Sequence, residues 1–256
     1  MKLKSKLLLA LLATSSAAFA QTAPAAPEST LGYNVGVVSE YRYRGIAQTK
    51  GDPALQGGVD YADASGYYLG AWASTIKWIK DSGSNASGPV ELDLYGGYKF
   101  EAAGLAYDVG YLRYQYLNNS YDKVSTKNAN TDEIYGAVTA GVFTAKYSYA
   151  LSNLFGAYDT TTKKDTKGST YLDLSATFDM GEGYSLVPHI GRQTIKNSAN
   201  SYTDIALTLN KDLGDGLSAS ASAISTSVKD NAFYLSTASN YNTAKNAVVL
   251  GLKYSF

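Results

Sequence analysis

The sequence predicts an all-β fold, a transmembrane antiparallel up-and-down β-barrel of about 12 strands, and three observations carry that expectation. Segment after segment alternates apolar with polar residues at the period of a strand, so each has two unlike faces. The connections alternate between short glycine-bearing turns at 63-66, 101-104, 140-142, 181-183 and 213-216 and longer polar loops at 45-53, 78-89, 118-131, 153-169, 195-201 and 227-244. Short turns at one end and long loops at the other is the asymmetry of an outer-membrane barrel. In the final stretch Val248, Leu250, Leu252, Tyr254 and Phe256 take every second place, opposite Ala247, Gly251, Lys253 and Ser255. An edge strand of a soluble sandwich is the competing reading, but such an end frays in water, whereas a barrel needs a last strand to pair with its first.

Composition agrees. The 256 residues include 23 Tyr, 24 Gly and no Cys, and only 17% are charged, which suits strands with aromatic girdles and leaves no disulfides to hold an exported chain together. Export itself is expected from the N-terminus, where Lys2, Lys4 and Lys6 precede the apolar run Leu7 to Ala13 and a small-residue stretch closing on Ala18-Phe19-Ala20. Residues 1-20 therefore read as a secretory signal cleaved after Ala20, too short to cross a bilayer as a helix. Residues 21-30, with Pro24, Pro27 and several Ala, read as a flexible periplasmic lead-in, and 31-256 as one barrel domain. Loss of the three signal lysines leaves 19 basic against 22 acidic residues, a balance that argues against a nucleic-acid partner.

In the first strand Leu31, Tyr33, Val35, Val37, Tyr41 and Tyr43 share one face and Asn34, Glu40, Arg42 and Arg44 the other; only Val38 and Ser39 break the alternation. The second puts Leu55, Val59 and Tyr61 opposite Gln56 and Asp60, and a third starts at Tyr67 after the Asp63-Ala64-Ser65-Gly66 turn. Nine more are expected near 90-100, 105-117, 132-140, 143-152, 170-180, 184-194, 202-212, 217-226 and 245-256. The seventh and eighth strands show why the faces differ. Phe143, Ala145, Tyr147, Tyr149 and Leu151 oppose Thr144, Lys146, Ser148 and Ser152, while Leu172, Leu174, Ala176 and Phe178 oppose Asp173, Ser175, Thr177 and Asp179. A lysine or arginine facing lipid at mid-bilayer costs roughly 2–4 kcal/mol, so charge stays on one side. The eleventh strand is the least distinct, its faces differing only as Ala from Ser.

The run Asn34-Val35-Gly36-Val37-Val38-Ser39-Glu40-Tyr41-Arg42-Tyr43-Arg44-Gly45-Ile46-Ala47-Gln48-Thr49 resembles the N-terminal signature of the TorF-family porins, also called Gcw_chp outer-membrane proteins. So do Pro53-Ala54-Leu55-Gln56-Gly57-Gly58 and Ser65-Gly66-Tyr67-Tyr68-Leu69-Gly70-Ala71-Trp72-Ala73-Ser74; Glu133-Ile134-Tyr135-Gly136 and Lys146-Tyr147-Ser148-Tyr149 continue the likeness more weakly. The resemblance implies an outer-membrane barrel with a pore role, and it transfers no catalytic or binding residues. It also implies that Leu252, Tyr254 and Phe256 form a C-terminal assembly signal read by the outer-membrane assembly machinery.

Chemistry is sparse. His189 is the only histidine and has no serine two places on to share its face, so a Ser-His hydrolase is the least favoured reading. One His and no Cys make no transition-metal site, and the Asp159-to-Asp165 loop lacks the spacing of a calcium loop. No cofactor is expected. The four arginines, Arg42, Arg44, Arg113 and Arg192, all fall within expected strands, and the acids nearest in height are Glu91 and Asp93, Glu133, Asp173, and Asp204. Together with Glu40 these are the candidate lumen residues. They form either cross-strand bridges that stiffen the wall or a charged constriction that orders a polar solute. Arg113 and Arg192 share parity with Tyr111 and Ile190, so each needs a bulge or a rim position to face inward.

The leading expectation is therefore a passive channel for small polar solutes or ions, not an enzyme, set among lipid and lipopolysaccharide of a Gram-negative outer membrane. A structural or surface-recognition barrel with a plugged lumen is the alternative. Twelve strands lie between the ~8 that side chains just fill and the 16–18 that leave an open channel.

Overall fold

The sheet closes on itself along a seam where Tyr33 and Phe256 exchange backbone hydrogen bonds, Tyr33 N to Phe256 O at 2.9 Å and Phe256 N to Tyr33 O at 3.0 Å. The seam was found in a computed structural model that describes residues 29–256 apart from 232 and 237–239; the expected signal 1-20 and nearly all of the lead-in 21-30 lie outside the described residues. Twelve strands make the barrel: β1 Thr30–Val38, β2 Ala54–Ala62, β3 Tyr67–Thr75, β4 Val90–Ala102, β5 Leu105–Leu117, β6 Thr131–Ala140, β7 Phe143–Ala150, β8 Thr170–Ala176 continued after Thr177 by Phe178–Gly181, β9 Tyr184–Thr194, β10 Tyr202–Gly214, β11 Leu217–Ser227 and β12 Ala247–Ser255. Each is antiparallel to the next, and β12 returns to β1 in the register Asn34↔Ser255 to Val38↔Gly251. The ring is closed, each of the twelve strands pairing with a neighbour on either side, β8 through Thr170–Ala176, and closure is the condition that lipid imposes.

The pleat separates the faces as alternation requires. Val248, Leu250, Leu252, Tyr254 and Phe256 point outward and are exposed, while Val249 and Lys253 between them point inward and are buried. In β11 the serines Ser218 and Ser222 line the inside, and the alanines take the outer face. Around the short-turn end, outward aromatic rings pack in two runs: Tyr254, Phe256 and Tyr33, with centroids 5.6 and 5.7 Å apart, and Tyr67, Tyr98, Phe100 and Tyr107, at 4.8, 5.8 and 5.0 Å. Such rings form the girdle of a membrane barrel.

Inside, tyrosine and glycine are used together. A Cβ on Gly110 would lie 2.6 Å from the Tyr135 ring, and one on Gly97 would lie 2.7 Å from the Tyr68 ring. The glycines let inward tyrosines fold flat against the neighbouring strand, which gives the high Tyr and Gly content a structural cause.

One boundary differs in a way that matters. The first strand ends at Val38, not at Arg44, and residues 40–50 turn into the barrel. The break in alternation at Val38-Ser39 is the bend: Ser39 N is held by Leu250 O at 2.8 Å, and the chain then leaves the wall. Tyr41 and Tyr43, expected on the lipid or interfacial face, are accordingly inside; Tyr41 is buried and packs on Trp72 of β3 at 5.5 Å.

Candidate functional site

The inward segment is a hairpin within the barrel. Arg42 pairs with Ala47 and Tyr43 with Ile46, and Arg44-Gly45 forms the tip. Both tip residues have positive φ, 46° and 77°, as a type I′ turn requires. Arg44 is held in a conformation that costs a residue with a Cβ roughly 1–2 kcal/mol, and Gly45 has no substitute: a Cβ there would lie 2.6 Å from Asp204 Cβ on the far wall.

The tip is anchored all round. Arg44 Nη1 and Nη2 donate to Glu133 Oε1 and Oε2 on β6 at 3.0 and 2.7 Å, Nη1 also donates to Gln193 Oε1 on β9 at 2.9 Å, and the guanidinium lies 4.3 Å over the Tyr171 ring of β8. Thr226 of β11 donates to Gly45 O at 2.9 Å. Tyr43 hydrogen-bonds Tyr114 of β5, and Tyr41 donates to Glu91 of β4 at 2.6 Å. At the base Arg42 donates to Glu40 at 2.6 Å and to the carbonyl of Lys245 at 2.7 Å, and Tyr241 donates to the other Glu40 oxygen. The hairpin thus spans the lumen from β4 and β5 to β10 and β11.

The wall facing it is acidic. Glu91, Asp93 and Glu133 are all buried there, and Asp93 Oδ1 has no hydrogen-bond partner. Burying a carboxylate is costly unless it is paired, and of the three Glu133 is the one that the arginine at the hairpin tip pairs with. Asp173 and Asp204 are buried on the adjacent wall, where His189 sits 3.1 Å from Asp173 and Tyr171 donates to Asp204 at 3.0 Å.

Of the ten sequence-expected lumen residues the structure places eight inside: Glu40, Arg42 and Arg44 in the hairpin, and Glu91, Asp93, Glu133, Asp173 and Asp204 in the wall. Arg113 and Arg192 are a correction. Each lies on the outer face of its strand, because β5 and β9 run through those positions in unbroken register and supply no bulge to turn them inward. Arg113 is neutralised by Asp132 at 2.8 and 2.9 Å near the loop end, and Arg192 donates to Thr203 at 3.1 Å. Sequence reasoning missed Tyr43, Tyr114, Tyr171 and Gln193, whose tyrosine and glutamine side chains carry no mark of a lumen role until strands are brought together. The available clue was Arg44-Gly45, a turn dipeptide inside what otherwise reads as a strand.

Below the hairpin, toward the short-turn end, the lumen stays polar. Tyr68 donates to Asp108 at 2.6 Å and hydrogen-bonds Tyr135, Tyr95 hydrogen-bonds Asp60, and Lys146 lies 3.7 Å over the Tyr135 ring. Above the hairpin, among the long loops, is an open cavity of about 360 Å³.

These elements make a closed twelve-stranded antiparallel barrel with a polar interior and a hairpin across its lumen. The chain belongs to the Gcw_chp family, bacterial proteins of unknown function, whose model matches residues 21–256. Among solved structures it is similar to the KdgM porin (TM-score 0.51, 8% identity, covering 89% of this chain and 99% of that one), and to the KdgM porin in complex with disordered oligogalacturonate (0.51, 9%, the same coverage). It is also similar to the NanC porin in a rhombohedral crystal form (0.50, 10%, 89% and 99%). At such identities the likeness is one of fold. No curated protein sequence matches the chain.

Proposed function

We propose that this protein is an outer-membrane channel for passive diffusion of small polar solutes or ions, with residues 40–50 as its constriction. The observation that supports the reading is the polar lining that continues below the hairpin. The half below the hairpin is lined by Asp60, Asp108, Lys146, Lys253 and tyrosine hydroxyls, a lining a merely structural barrel has no need of, and the narrowing is made by one loop rather than by the wall. The exposed outer belt and the aromatic girdle support placement in the outer membrane of a Gram-negative bacterium, inserted by the assembly machinery through β12 and bordered by lipopolysaccharide at the loop end. The TorF-porin designation belongs to this same reading. On it, Glu40, Arg42 and Arg44 hold the constricting loop in place and set the charge inside it.

The hairpin's anchorage favours a second reading, a surface-recognition barrel with a permanently plugged lumen. One experiment separates the two: planar-bilayer recording of the wild type beside a variant in which 40–50 is replaced by a short Gly-Ser link. A channel gives small wild-type currents and much larger ones in the variant. A variant that folds as a barrel and carries no current excludes the channel.

A further inference from the structure

We infer that the cavity above the hairpin is a binding site for an uncharged saccharide presented from the loop side. Its walls are two aromatic clusters. Trp78 meets Tyr116 edge-on at 5.4 Å and 88° and Tyr121 at 5.2 Å and 66°; across the cavity Tyr202 meets Tyr234 at 5.8 Å and 84°. Aromatic walls bury the C–H face of a guest at low entropic cost. The volume of about 360 Å³ lies in the range of small-molecule sites, roughly 300–1,000 Å³.

Charge decides the class of guest. Lys50 and Asp81 both line the cavity, but Lys50 Nζ is bound to Asp81 at 2.6 Å, and Arg44 beneath is bound to Glu133. A charged guest would lose its hydration without gaining a counter-ion, which is unfavourable. A purely apolar guest fails for a different reason. Gln48, Ser82, Ser236 and Thr243 add polar groups to the lining, each already donating to a backbone carbonyl and keeping an oxygen that can accept, so a fitting guest brings hydroxyl groups as well as an apolar face. Hydroxyls on a ring with one C–H face, without charge, meet all three conditions.

The inference rests on the reading of the long loops as the outer side, but binding is independent of conduction. It is tested on the full protein purified in a detergent without a sugar headgroup, by calorimetry and by tryptophan fluorescence, which reports Trp72 and Trp78 alone. Maltotriose, mannotriose and xylotriose are the neutral probes, with trigalacturonate and indole as contrasts. Saturable binding of at least one neutral trisaccharide is expected, at least tenfold tighter than trigalacturonate and weakened at least tenfold by Trp78→Ala. Tyr121→Ala is the second variant, in case Trp78→Ala does not form a heat-modifiable barrel. The inference is overturned if no neutral trisaccharide binds up to about 10 mM, where affinity is negligible. It is equally overturned if trigalacturonate or indole binds as well as the sugars, or if the folded variants bind like wild type. Its failure leaves the channel standing, and a silent bilayer leaves the binding site standing.

Discussion

Arg44 and Glu133 are joined by a two-point ion pair, at 3.0 and 2.7 Å, that ties the tip of the lumen hairpin to β6 across 89 residues of sequence. Both side chains are almost fully buried, at 4% and 3% exposure, so each has the other as its counter-charge out of water.

That dependence predicts a non-additive pair of substitutions. Removing one partner of a buried pair costs about 3–5 kcal/mol, whereas replacing both by apolar residues of similar volume is often near neutral. Glu133→Leu alone should therefore loosen the hairpin, lower the temperature at which the folded band is lost on a denaturing gel, and raise single-channel current. Arg44→Met with Glu133→Leu should recover most of the thermal loss. Equal loss in single and double variants would show that the pair does not hold the hairpin.

The outward arginines predict the opposite of a lumen role. The Arg113–Asp132 pair is partly exposed, 36% and 23%, and pairs of that kind are worth roughly 0–1 kcal/mol. Arg113→Gln and Arg192→Gln should leave the reversal potential in a salt gradient unchanged at low salt, where the Debye length is about 30 Å at 0.01 M. Arg42→Gln with Arg44→Gln should move it toward cation selectivity. A shift from either outer arginine as large as that from the inner pair would overturn the assignment of faces.

The barrel was legible because its rule is local: period-two alternation and loop-length asymmetry are written residue by residue, and β5 and β9 follow their expected spans, 105–117 and 184–194. The hairpin was not. Glu40, Arg42 and Arg44 do alternate with Tyr41 and Tyr43, but alternation says only that two faces differ, not that one of them meets lipid. In this segment one face meets Glu91, Trp72 and Tyr114, and the other meets β6, β8 and β9. For Arg113 and Arg192 the parity with Tyr111 and Ile190 was the better guide, and charge type the worse one.

At the short-turn end, Asp63 accepts the Ser65 amide at 2.8 Å and the Ser65 hydroxyl, and these bonds hold its carboxyl below the ordinary carboxylate range. A depressed folded value means that the carboxylate steadies the turn above the unfolded pKa, about 3.9, and that this contribution is lost as pH falls through the folded value. The Ser65 amide resonance should therefore titrate with a midpoint below about 3.9, and Asp63→Asn should abolish that titration. A midpoint above it would contradict the hydrogen-bonded turn.

The seam gives the last prediction. Phe256 contributes two things at once, the backbone bonds to Tyr33 and a ring stacked on Tyr33 at 5.7 Å and on Tyr254 at 5.6 Å. Phe256→Ser keeps the backbone bonds and removes the ring; deleting Phe256 removes both. If the ring alone serves as girdle and assembly signal, the two variants should reach the outer membrane equally poorly. If closure also depends on the two backbone bonds, which net about 0.5–1.5 kcal/mol each, the deletion should in addition lose the folded band at a lower temperature than Phe256→Ser once both are refolded in detergent. The structure favours the second result, because Tyr33 N and O would lose their partners at the end of a seam that otherwise pairs β1 with β12 only from Asn34 to Val38. Membrane levels and melting indistinguishable from wild type in both variants would remove Phe256 from the seam altogether.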